Sequence, residues 1–88
     1  MRKDDSRPYT VYILKCRGGS LYTGITTDLN RRMKEHLRGK ASKYTRSKRP
    51  VRCVYSERQP DESRAKSRES EIKDWSRAEK IALVRGGI

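Results

Sequence analysis

The stretch "YTVYILKCRGGSLYTG", residues 9 to 24, constrains the fold most. Residues 9 to 16 are rich in β-branched and aromatic side chains, which suit a pleated, packed surface. A strand wetted on one face alternates polar and apolar residues. The unbroken run Val11, Tyr12, Ile13, Leu14 predicts instead a strand covered on both faces. "RGGS" then turns the chain and "LYTG" returns it, so the region reads as a β-hairpin.

The loop length decides where the tyrosines point, because cross-paired residues share a face. If the loop is Gly18-Gly19 alone, Arg17 pairs with Ser20, and Tyr12 and Tyr22 lie on opposite faces. If it is Arg17-Gly18-Gly19, Cys16 pairs with Ser20, and Gly19 takes the left-handed position of a bulged turn. Leu14 then faces Tyr22, Tyr12 faces Gly24, and both tyrosines share one face; this three-residue loop, or another of odd length, is the expected form.

The remaining elements follow from periodicity. "TTDLNRRMKEHL" predicts a helix capped by Thr27 or Asp28, with Leu29, Met33 and Leu37 centring its buried face. "RGKASKYTRSKRP", 38 to 50, reads as a basic loop. "VRCVYSE", 51 to 57, alternates as a third strand with Val51, Cys53 and Tyr55 on one side. Residues 61 to 75 form a helix with a thin stripe of Ala65, Ile72 and Trp75. Ser76 and Glu79 have capping-box spacing and open a short last helix. The order is β-β-α-β-α-α in one domain over residues 9 to 84, with flexible tails at 1 to 8 and 85 to 88.

Only 32% of the 88 residues are hydrophobic, so the core must come from these few segments. The net charge of +12 points to a polyanionic partner, nucleic acid ahead of an anionic membrane. A basic surface that merely keeps the chain soluble is the plainer alternative. Cys16 and Cys53 lack metal-ligand spacing and sit in strand-like runs, as buried thiols do in a reducing compartment. The polar start "MRKDDSRP" and the lack of any long apolar stretch predict no signal peptide, no membrane span and a cytoplasmic protein.

Some side chains are out of place for a simple core. Arg32 and His36 flank the apolar seam of the first helix at i+3 or i+4 spacing. They are either a snorkelling arginine and a structural histidine, or a guanidinium fork and an imidazole on a phosphate site. Glu69 and Glu71 both border the stripe of the second long helix. Both suit solvated i,i+4 pairs, such as Glu69 with Lys73. In "KYTRSKRP", Tyr44 is interleaved with Lys43, Arg46, Lys48 and Arg49, which suits a nucleic-acid backbone and one stacked base, or a solvated loop.

Together these residues resemble the GIY-YIG nuclease superfamily, above all its small single-domain bacterial group, UPF0213 (YhbQ-like). The resemblance runs from about residue 9 to 84. The first motif appears as Thr10-Val11-Tyr12 and the second as Tyr22-Thr23-Gly24. An arginine followed four residues later by histidine appears as Arg32 and His36, and the late glutamate as Glu69. Thr10 replaces the leading glycine, and Thr23 replaces the isoleucine. Ile25 stands where the repair excinucleases carry a lysine. The extra domains of the repair and homing enzymes have no counterpart in this sequence.

The resemblance implies an α+β domain, a three-stranded antiparallel sheet flanked by helices. It also implies phosphodiester hydrolysis in DNA, in repair or in processing branched or damaged substrates, with a single divalent metal, Mg²⁺ or Mn²⁺. Glu69 is then the metal ligand, Arg32 the phosphate ligand, and Tyr22 the residue at the attacking water, with Tyr12 in support and His36 orienting water or phosphate. A non-catalytic nucleic-acid binding module on the same fold, and a component of a larger repair complex, are the competing readings.

Overall fold

Covering both faces of the apolar run is what organises the molecule, seen here in a computed structural model that describes residues 7 to 86. β1 (Tyr9–Cys16) lies between β2 (Leu21–Thr26) and β3 (Pro50–Gln59), antiparallel to both. Val11, Tyr12, Ile13 and Leu14 are all buried. Val11 and Ile13 pack with Ala65 and Ile72 of α3 (Glu62–Lys73) and Leu83 of α4 (Arg77–Val84). On the opposite face Tyr12, Leu14 and Cys16 pack with Tyr22, Cys53 and the Leu29 and Met33 side chains of α1 (Leu29–Leu37). The parity of a strand thus sorts one continuous apolar run into two cores.

The hairpin takes the three-residue form. Arg17–Gly19 make a single 3₁₀ turn, and the Cys16 amide donates to the Ser20 carbonyl at 2.8 Å. Gly18 and Gly19 both have positive φ, 86° and 90°, so the turn needs two glycines where the bulged form required only Gly19. Tyr12 stands opposite Gly24, and Leu14 opposite Tyr22. Both tyrosines therefore lie on the α1 face.

Four expectations are corrected. The 38–50 segment is not only a loop: Ser42 accepts from the Thr45 amide and caps a short helix, α2 (Lys43–Ser47). Cys53 and Tyr55 do not share a face. Ile13 pairs with Tyr55 but Leu14 pairs with Cys53, so Val54 is an extra residue and the bulge reverses the side-chain parity. Cys16 is buried as expected, while Cys53 is half-buried. Finally, α1 is rotated. Leu37 is 53% exposed and His36 is fully buried, so the inward face runs Leu29, Met33, His36. A buried hydrogen-bonding partner on β1 turns the helix toward the histidine.

The caps hold as expected. Asp28 accepts from the Arg31 amide at the start of α1, and Ser76 and Glu79 form a reciprocal capping box on α4. Asp61 caps α3 through the Arg64 amide. The elements extend from Tyr9 to Val84. Of the expected tails, residues 1–6 and 87–88 lie outside the described residues. Among the described residues no helix is long and apolar enough to cross a membrane.

Candidate active site

The site is built on the α1 face of the hairpin. Tyr12 extends over Gly24, its partner on β2. A Cβ placed at Gly24 would lie 2.6 Å from the Tyr12 hydroxyl oxygen and 2.7 Å from its ring carbon Cζ. The glycine is therefore the bare patch of backbone that lets the phenol lie across the sheet. Its hydroxyl is 2.8 Å from His36 Nε2. His36 Nδ1 is 2.8 Å from Thr45 Oγ1, and Thr45 is 2.9 Å from the Ser42 hydroxyl. A chain of polar groups, Tyr12–His36–Thr45–Ser42, thus ties β1 through α1 to α2. Tyr12, His36 and Thr45 are all buried.

Tyr22 packs edge-on against the imidazole, with ring centroids 5.3 Å apart. Its outer face stacks on Tyr44 at 5.8 Å and 18° between planes. Tyr44 is 39% exposed. The rings form a ladder from the buried imidazole to solvent.

Arg32, one turn before His36, donates from Nη1 to Glu35 at 2.8 Å and from Nη2 to the Ala41 carbonyl at 3.4 Å. Its Nε is buried without a hydrogen-bond partner. The Glu35 hydrogen bond raises the Arg32 pKa more than burial lowers it, and Tyr12 adds to the rise. On Tyr12 and His36, by contrast, burial is the largest influence. It pushes the Tyr12 hydroxyl up to about 12, against the opposing pull of Arg32. It holds His36 below its ordinary value, and the Arg32 charge lowers it further. The resting site therefore holds a neutral phenol and a neutral imidazole beside a fixed positive charge.

Glu69 stands on α3 and is linked to this cluster through its charge. It is close enough that its charge adds to the rise in the Tyr12 pKa. It makes no hydrogen bond to the other four residues. Its Oε2 instead pairs with Lys73 Nζ at 3.1 Å, the i,i+4 partnership expected of a solvated glutamate. Among the described residues no group of three or more His, Cys, Asp or Glu side chains could hold a metal by itself. The donor set still fits Mg²⁺, which takes one or two carboxylates, keeps several waters and uses substrate phosphate oxygens as ligands.

The structure therefore brings Tyr12, Tyr22, Arg32 and His36 together, with Glu69 at their margin. Of the five candidates in the basic segment, Tyr44 touches the cluster, through its stack on Tyr22. Lys43, Arg46, Lys48 and Arg49 are exposed on α2 and its flank. Arg49 donates to the Leu37 carbonyl at the end of α1, and the Arg46 stem packs beside Gly39. Sequence reasoning missed Thr45 and Glu35. The S-x-x-T spacing of Ser42 and Thr45 is a capping signal that places Thr45 on a helix, though not against His36.

Residues 8–82 match the model of the GIY-YIG catalytic domain. The chain belongs to the GIY-YIG family. It is 48% identical over 75 residues to UPF0213 proteins of Staphylococcus aureus strains Mu3 and Mu50, covering 85% of this chain and 92% of each relative. The solution NMR structure of the UPF0213 protein BH0048 from Bacillus halodurans is 46% identical, with a TM-score of 0.57. That match covers 89% of this chain and 83% of the other. The family is one of nucleases that typically use a divalent metal, which suggests DNA as the substrate.

Proposed function

We propose that the chain is a metal-dependent DNA endonuclease that hydrolyses phosphodiester bonds in the cytoplasm, in repair or in processing of branched or damaged DNA. The observation that carries this reading is the buried Tyr12–His36 hydrogen bond beside the unpartnered Nε of Arg32. A buried guanidinium Nε without a hydrogen-bond partner is uncommon in a native structure. A phosphate oxygen supplies the missing acceptor, and the guanidinium then stabilises the charge that builds on phosphorus.

Hydrolysis forms a bond from water oxygen to phosphorus and breaks the bond from phosphorus to the leaving oxygen. The water proton passes to the Tyr12 oxygen as the Tyr12 hydroxyl proton passes to His36 Nε2. The leaving oxygen is protonated from solvent. This route requires the His36 tautomer in which Nδ1–H donates to Thr45 Oγ1, leaving Nε2 as acceptor. We give the water to Tyr12 rather than Tyr22 because Tyr12 has the imidazole contact, while Tyr22 stacks between His36 and Tyr44. A phenol with a pKa near 12 is a poor base alone, and the coupled imidazole lowers the barrier to its proton exchange. Glu69 would hold the divalent ion, Mg²⁺ or Mn²⁺, which when bound supplies Lewis acidity to the phosphate. Tyr44, with Lys43, Arg46, Lys48 and Arg49 around it, offers a stacking platform and phosphate contacts for the strand.

Incubation of plasmid and branched DNA with Mg²⁺ or Mn²⁺ tests the proposal. Wild type should cut, EDTA should abolish cutting, and Glu69→Ala and Arg32→Ala should each lower the rate at least about a hundredfold. Loss of no activity in Glu69→Ala, or no cutting of any substrate, overturns it. The second reading, a non-catalytic DNA-binding module, draws on the Glu69–Lys73 pair, which already satisfies the one carboxylate. It predicts salt-sensitive binding without cleavage.

A further inference from the structure

A concavity at the start of β1 has no part in the site above. Arg7, Thr10, Thr27, Asp28, Arg31 and Arg58 line a cavity of about 330 Å³. Thr10 stands opposite Arg58 on β3, and lies two residues before Tyr12 on the same strand. Thr10 and Arg58 therefore share the sheet face that carries Tyr12. Successive helical residues are about 100° apart. Arg31 lines the cavity while Arg32 turns to the Ala41 carbonyl on the other side, so α1 is a ridge between the cavity and the Tyr12–His36 site.

Among the described residues the charges in this cavity are not compensated. Three guanidiniums converge from three separate segments. Arg7 and Arg58 make no ion pair or side-chain hydrogen bond among the described residues. Arg31 reaches Glu35 only at 3.9 Å. Asp28 is the one carboxylate in the lining, and its Oδ1 accepts from the Arg31 amide. Like charges held together without counter-charge repel, and an anion between them removes that cost. Guanidinium forks match phosphate oxygens in a bidentate geometry, and the Thr10 and Thr27 hydroxyls supply further donors.

We propose that this cavity is a phosphate subsite that grips the DNA backbone away from the phosphate at Tyr12. The inference rests on DNA being the ligand, as argued above. It gives the chain a second point of attachment on the same face, so that the strand lies across α1 with one phosphate on either side of the ridge.

The test is equilibrium binding of duplex DNA in EDTA across a salt series. Each phosphate contact contributes about 0.9 to the slope of log affinity against log salt. Arg7→Gln/Arg58→Gln should weaken binding at least fivefold and reduce the slope by about one. The control pair Arg64→Gln/Arg85→Gln removes the same charge from α3 and the end of α4, on the other face of the sheet. It should change the slope by much less. Arg7→Lys/Arg58→Lys keeps the charge and removes the forks. It should keep the slope and lose part of the affinity. Equal effects of the cavity pair and the control pair overturn the subsite, as does no effect of the cavity pair. Wild type that binds no DNA overturns both this inference and the nuclease reading. Slope loss at the cavity in a protein that cuts no DNA supports the subsite and overturns the nuclease alone.

Discussion

The two faces of the sheet solve the same burial problem with different chemistry. On the α3–α4 face, Val11 and Ile13 meet Ala65, Ile72 and Leu83 in an apolar core. Its charges lie at the rim: Arg68 donates to both Glu57 oxygens, at 2.9 and 3.2 Å, and sits 5.2 Å from the Trp75 ring centre. Burial alone would raise the Glu57 carboxyl, but hydrogen bonds from Arg68, Tyr55 and Gln59 outweigh it and hold it below its ordinary value. On the α1 face the polar groups go inside. Tyr12, His36 and Thr45 are buried and consume one another's hydrogen-bonding capacity, while the Arg32 Nε is left unmet. One face is arranged to hold the fold, and the other accepts a buried polar chain that an apolar core would avoid. That asymmetry is what a functional site costs a chain of 88 residues.

The contrast predicts where the molecule breaks. Ile13→Ala empties a fully buried position on the apolar face and should destabilise by about 2–5 kcal/mol, read from a urea melt. Arg68→Ala on the same face should lose about 2 kcal/mol, because it removes the only charge partner of the half-buried Glu57 carboxylate among the described residues and leaves it the Tyr55 and Gln59 hydrogen bonds. Neither change touches Tyr12, so residual folded protein should keep its DNA affinity. A loss of affinity larger than the loss of folded protein would show that the faces are not separable.

How much of this was legible beforehand differs between the faces in the same way. The hairpin register, the Asp28 cap and the Ser76–Glu79 box follow from local rules, because a turn or a cap depends on residues within a few positions. The α1 rotation does not. Leu37 looks like a core residue to a periodicity argument, and only the Tyr12 hydroxyl, 24 residues before His36, selects the histidine instead. The bulge at Val54 is likewise set by pairing with β1, and the alternating residues of β3 carry no local mark of it. Arg32 and His36 stood out because their types are unusual beside an apolar seam, whereas Tyr12 and Tyr22 were candidates through the resemblance to the family. Thr45 was hidden because a threonine in a basic segment looks solvated, and its burial depends on where α2 docks.

Smaller perturbations sharpen the α1 face. Gly24→Ala forces a methyl group into the Tyr12 ring, which is fully buried and hydrogen-bonded and so cannot swing away. The expected cost is about 1–3 kcal/mol, with displacement of the phenol from His36. Tyr12→Ala in the same background should cancel most of the Gly24→Ala cost, since the clash has then gone. Additive effects would place the Gly24 strain elsewhere. Thr45→Val keeps the shape and removes the hydroxyl, leaving His36 Nδ1 unpaired at a cost of about 1–2 kcal/mol. Thr45→Ser should restore it.

The smallest effect expected is a pH dependence carried by the same histidine. Burial, and then the Arg32 charge, hold the folded His36 below the 6.5 of a free imidazole. Between the folded value and 6.5 the unfolded chain binds more protons than the folded one. Stability therefore rises with pH through that window and is lost as pH falls through it. The apolar face carries no histidine, so in this range the change belongs to the α1 face. Melting temperature should fall as pH drops below about 6.5, and His36→Gln should flatten that dependence. The Glu57 carboxyl, held low by Arg68, keeps its contribution until more acidic pH, and Glu57→Gln should leave the slope just below pH 6.5 unchanged. A His36→Gln variant whose melting temperature still falls over the same window would assign the titration to another group, and the division between the two faces would fail at that point.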